Sequence, residues 1–135
     1  MNWHELVRNP RAITHLYDDV PSLSGMEVSR VELSPNGPVV SLFMDFPRFA
    51  DHRPERWHQA WNTVAMQLDF WDVKDFRLDG FTCNPVLDFS FEREGARLVV
   101  VATGVDCRMS FHCDSLYIQK VTGYVHEGRV RSMPS

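Results

Sequence analysis

The stretch VLDFSFEREGARLVVVATGVDCRMSFHC, residues 86–113, reads as three antiparallel strands in succession. Leu87, Phe89 and Phe91 alternate with Asp88, Ser90 and Glu92, the period of two that puts one face of a strand in a core and the other in water. Gly95, inside Arg93-Glu94-Gly95-Ala96, supplies the positive φ a tight hairpin needs. Residues 97–103 then carry Leu98 to Val101 without a polar interruption, the mark of a strand covered on both faces. After Gly104-Val105, Cys107, Met109, Phe111 and Cys113 alternate with Asp106, Arg108, Ser110 and His112, a third strand with one wet face.

Upstream, the same reading continues. Val64, Met66, Leu68 and Phe70 form a strand with Ala65, Gln67 and Asp69 on its other face, and residues 75–81 form a further strand. Val40, Leu42, Met44 and Phe46 alternate with Ser41, Phe43 and Asp45, and Ser34-Pro35-Asn36-Gly37 predicts a three-residue hairpin loop just before them. In the partner strand, Met26 and Val28 share one face whereas Val31 and Leu33 share the other, so a bulge near Ser29-Arg30 or burial on both faces follows. Residues 1–17 carry helical spacing, with Trp3, Leu6 and Val7 before Pro10 and Ile13, Leu16 and Tyr17 after it. Downstream, Leu116 to Val121 is a last strand that Gly123 can bend. The whole predicts an α+β protein, mostly an antiparallel β meander of about seven or eight strands arranged as a sandwich or partly open barrel, with one or two short N-terminal helices. Residues 1–125 are expected to form one domain and 126–135 a polar tail.

Composition narrows the function. In 135 residues with 44% hydrophobic and 24% charged content, no apolar run approaches the roughly 20 residues of a membrane helix. A net charge of −4 argues against a nucleic-acid binder held by phosphate contacts. Met1-Asn2-Trp3-His4-Glu5 lacks the basic and apolar regions of a secretory signal, so a cytoplasmic location is expected. Cys107 and Cys113 lie about 20 Å apart along one strand and cannot bridge to each other there; reduced, packed thiols are expected, with a disulfide or a reactive thiol at Cys83 as the alternatives.

Catalytic patterns are missing. The six histidines are scattered without metal-ligand spacing, and in His112-Cys113 consecutive strand residues point to opposite faces, so they cannot serve as base and nucleophile. The sequence holds no Gly-Xaa-Ser-Xaa-Gly elbow, phosphate loop or dinucleotide fingerprint, so no cofactor is expected. Two regions suit a partner instead. Residues 47–59 interleave Arg53, Arg56 and Trp57 with carboxylates, either as an interface or as a lid that closes the end of the sheet. Asp69, Asp72, Asp75 and Asp79 lie around Trp71, either as an acidic rim that steers a basic protein partner or as a solvated sheet edge. A second reading has Phe43, Met44, Phe70, Phe89, Phe91 and Met109 lining a cavity for a small apolar ligand. A third is a small enzyme using His112 or His58 with a nearby aspartate.

The combination of short N-terminal helices, Pro21-Ser22-Leu23 with Glu27-Val28 leading into the first strand, and Val73-Lys74-Asp75-Phe76-Arg77-Leu78-Asp79-Gly80-Phe81-Thr82-Cys83-Asn84 before a terminal meander resembles the bacterial immunity protein 50 family from about Trp3 to Tyr124. Ser24-Gly25 stands where the family pattern often has a histidine and an aspartate. The resemblance implies a non-enzymatic cytoplasmic antidote, encoded beside a polymorphic toxin, that binds the cognate toxin domain and blocks its active site. It transfers no binding residue, so Arg53, Arg56, Trp57, Asp69, Trp71, Asp72 and Asp75 are contact candidates by composition, in a monomer or homodimer.

Overall fold

Val40, Leu42 and Met44 stand opposite Phe70, Leu68 and Met66 on the neighbouring strand, each pair pressed into the core. This period-two burial runs through the computed structural model, which describes residues 2–128. Its strands are β1 (Met26–Ser34), β2 (Val39–Asp45), β3 (Thr63–Trp71), β4 (Lys74–Asp79), β5 (Val86–Glu94), β6 (Arg97–Thr103), β7 (Arg108–Cys113) and β8 (Ser115–Tyr124). All pair antiparallel in the order β4-β7-β6-β5-β1-β2-β3-β8, an eight-stranded sheet with two ends and no closure into a barrel.

The middle of the sheet is thinly joined. β1 and β5 share only the pairs Met26 with Leu87 and Glu27 with Val86, after which the strands part. Two four-stranded halves therefore face one another across the core, where Phe70 of β3 meets Phe111 of β7 edge to face with ring centroids 4.9 Å apart. The phase slip in β1 resolves as a bulge, with the register shifting between Val28 and Arg30. The hairpin that follows has a longer loop than expected, Pro35 to Pro38, because Pro38 has no N–H for the ladder and β2 starts at Val39.

The N-terminal spacing yields two single-turn helices, α1 (Trp3–Leu6) and α2 (Arg11–Thr14). Trp3 and Tyr17 both lie against Phe46, with ring centroids 6.3 and 5.6 Å away. Between the helices the chain covers the free edge of β8. Arg8 N–H donates to the Leu116 carbonyl, while the Asn9 side chain accepts from Ile118 N–H at 2.8 Å and donates to its carbonyl at 2.7 Å. Asn9 thus serves the edge as a strand residue would, satisfying groups that otherwise template aggregation.

His126, expected at the start of a tail, is held by Asn62, whose side chain donates to its carbonyl and accepts from its N–H. The remainder of that tail, 129–135, lies outside the described residues. Cys107 and Cys113 are buried and Cys83 is exposed, all three as free thiols.

Candidate functional site: the outer face of the β1-β2-β3-β8 half

Among the described residues, no helix covers the outer face of the half formed by β1, β2, β3 and β8. The register fixes its rows: Glu32, Ser41, Asp69 and Tyr117 lie side by side, then Arg30, Phe43, Gln67 and Lys120, then Glu27, Asp45, Ala65 and Thr122. Trp71 ends β3 opposite Ser115, with Asp72 just beyond. Five carboxylates stand on or beside this face, Glu27, Glu32, Asp45, Asp69 and Asp72, against two cations. Of these cations, Arg30 is paired with Glu32 and lies over the Phe43 ring, 4.9 Å from its centroid. The face is therefore negative beyond the chain's average.

Asp69 sits at its centre. The carboxylate is only 5% exposed, yet it forms no ion pair among the described residues. Its oxygens accept hydrogen bonds from two neutral amides, Gln67 Nε2 at 3.1 Å and Gln119 Nε2 at 3.0 Å. Gln119 reaches it because a bulge in β8 places both Gln119 and Lys120 between Ile118 and Val121 against a single step of β3. Beside Asp69, Trp71 and Tyr117 meet edge to face at 6.4 Å, each 39% exposed.

At the opposite end a polar strap crosses the strands. Glu27, Asp45 and His126 offer ligand atoms within 4.8 Å of one another, the set of described residues that can hold a metal ion together. Gly128 N–H donates to His126 Nδ1 at 3.1 Å, which places the ring proton on Nε2, facing Glu27 at 3.5 Å. Tyr124 O–H donates to Asp45. The Tyr124–Asp45 hydrogen bond and the His126–Glu27 contact together make the cluster a polar clasp.

Of the seven contact candidates, the structure brings Asp69, Trp71 and Asp72 together and leaves four elsewhere. Trp57 is buried at 5% exposure against Phe49 and Trp61, and Gly123 makes room for it, since a Cβ there would lie 2.8 Å from both tryptophan rings. The 47–59 stretch is thus a lid over the end of the core, and Trp57 is not a surface residue. Its charges meet one another and the N-terminal segment: Arg48 pairs with Asp51 and lies over Tyr17, while His52 pairs with Asp18, whose hydrogen bond and charge raise the His52 pKa. Arg56 is exposed, and Arg53 is half-buried with Nη1 shut away from any hydrogen-bond partner. Asp75 lies on β4, 3.6 Å from His112 Nδ1.

The residues expected to line one ligand cavity, Phe43, Met44, Phe70, Phe89, Phe91 and Met109, do not converge on a single hollow. Phe70 is wholly buried in the core, whereas Phe43 and Met44 line a hollow of about 470 Å³ on the outer face together with Ala65, Gln67 and Lys120. A second hollow, of about 420 Å³, lies between β1 and the β4–β5 connection, lined in part by Leu78, Leu87 and Met109 and flanked by exposed Phe81. His112 has its aspartate in Asp75, which is itself largely exposed, and His58 accepts from Ala60 N–H. Gln119 and Tyr117 were invisible to a reading of local patterns, because their positions depend on the pairing of β3 with a strand far along the chain, whereas Gln67 meets Asp69 within β3 itself.

A family model described as Immunity protein 50 matches residues 9–124. No curated protein and no solved structure gives a significant match.

Proposed function

The chain belongs to the immunity protein 50 family, and we propose on that premise that it binds and neutralises a cognate bacterial toxin by covering the toxin's active site. It acts in the cytoplasm, as a monomer or homodimer, and runs no reaction of its own. The observation that carries this reading is the uncovered β1-β2-β3-β8 face, with its central carboxylate Asp69 and its exposed pair Trp71 and Tyr117. Aromatic anchors beside a desolvated charge dominate protein interfaces. Asp69 is already withdrawn from water and held by amides, so less ordering and desolvation remains for the moment of binding. The surrounding negative charge steers a basic partner and speeds encounter. Asp69, Trp71 and Asp72 are the central contacts, and Trp57 acts only through the fold.

Co-expression tests the reading. Cells making the cognate toxin resume growth when this protein is present, and growth is lost again with the double variant Asp69→Lys, Trp71→Ala at equal abundance of folded protein. Persistent toxicity beside abundant wild-type protein overturns it.

A further inference from the structure

At the Trp71 end of the outer face lies a hollow of about 420 Å³, lined by Asn9, Trp71, Asp72, Ser115, Tyr117, Ile118 and Gln119. We infer that this hollow is a receptor for an arginine side chain of the partner protein. The inference deepens the immunity reading, on which it rests for the partner's identity alone.

Its chemistry is one-sided. The only charged side chain in the lining is Asp72, a carboxylate, and no cation lines the hollow. Asp69 lies next to it, opposite Tyr117 in register, and its oxygens accept from neutral amides, with no cation paired to it among the described residues. The ring faces of Trp71 and Tyr117 carry negative quadrupoles that attract a cation. A cation is thus the missing complement. A planar guanidinium fits better than an ammonium, because it lies flat on an indole and meets a carboxylate through two parallel N–H groups.

The parts are held in place before anything binds. The Trp71 carbonyl accepts from Asp114 N–H at 3.0 Å, and Val73 N–H donates to the Pro38 carbonyl at 3.1 Å, so the backbone is fixed on both sides of Asp72. Asp72 itself has φ +57°, a left-handed conformation that aspartate and asparagine tolerate better than most residues. The Asn9 side chain is committed to Ile118 on both of its polar ends and forms a rigid wall.

The test uses the full chain at low ionic strength with N-acetyl-argininamide as probe, followed by NMR at the Trp71 indole N–H and the amides of residues 115–119. Saturable shifts in the millimolar range are expected. Asp72→Asn, which keeps the left-handed backbone, weakens them roughly tenfold. Tyr117→Leu weakens them as well, while N-acetyl-lysinamide binds less tightly and N-acetyl-glutamate gives no response. An absent arginine response, an equal response to glutamate, or unchanged affinity in both variants overturns the inference. A protein that protects against its toxin yet fails this titration retains the immunity reading and loses the arginine receptor. A protein that passes the titration but gives no protection loses the immunity reading and keeps the receptor.

Discussion

Phe70 and Phe111 come from different halves of the sheet and meet edge to face, with ring centroids 4.9 Å apart and planes at 76°. Both rings are almost wholly buried. Since β1 and β5 are joined through just two residue pairs, this contact between the halves does work that strand pairing leaves undone. Phe111→Ala is therefore expected to cost about 3–5 kcal/mol in denaturant unfolding, from lost transfer energy and the cavity left behind. Phe81→Ala, at a ring 76% exposed, should stay within about 0.5 kcal/mol of wild type. Equal effects at the two positions would mean that the halves are held by something else.

The three cysteines should react in two classes. Burial pushes the Cys113 thiol up to about 12, helped by the Asp114 charge, and burial also raises Cys107. The thiolate is the reactive form, so both should stay silent towards Ellman's reagent at pH 8 while exposed Cys83 reacts at once. Denaturant should release the other two. Three fast thiols in the native protein would contradict the buried positions of Cys107 and Cys113.

Asp88 ties the segment before β1 to β5. Its Oδ1 accepts from Gly25 N–H at 2.7 Å and from Ser24 Oγ at 2.8 Å, and these bonds hold its pKa below the usual carboxylate value. A depressed folded pKa gives stability that is present above the unfolded value, about 3.9, and is lost as pH falls through the folded one. Carboxyl NMR titration should place Asp88 below the ordinary aspartate value, and Ser24→Ala should move it back part of the way. An ordinary value in the wild type would show that the tie does not form.

Much of the fold was legible because strand periodicity is local. The alternations through Leu87, Phe91, Met109 and Phe111 set the β5-β6-β7 meander, and the phase slip between Val28 and Val31 announced the β1 bulge. The fates of Trp57 and Trp71 were not legible in the same way. Each tryptophan sits among charges, and what separates them is tertiary: Gly123 of β8 leaves space that Trp57 fills, while Trp71 lies exposed at the end of a strand whose outer side no described element covers. The candidate face was half legible for a related reason. Asp69, Trp71 and Asp72 are close in sequence, but the Gln119 amide and the Tyr117 ring arrive through a bulged strand that pairs with β3 from far along the chain.

The most direct measurement is calorimetric titration of the cognate toxin domain with this protein and two of its variants. The account predicts tight binding by wild type, at least about tenfold weaker binding by Asp69→Asn, which keeps the shape of the side chain but removes its charge, and unchanged binding by Arg93→Ala on the far half of the sheet. Wild-type affinity in Asp69→Asn, or no heat of binding with the wild-type protein, would contradict it.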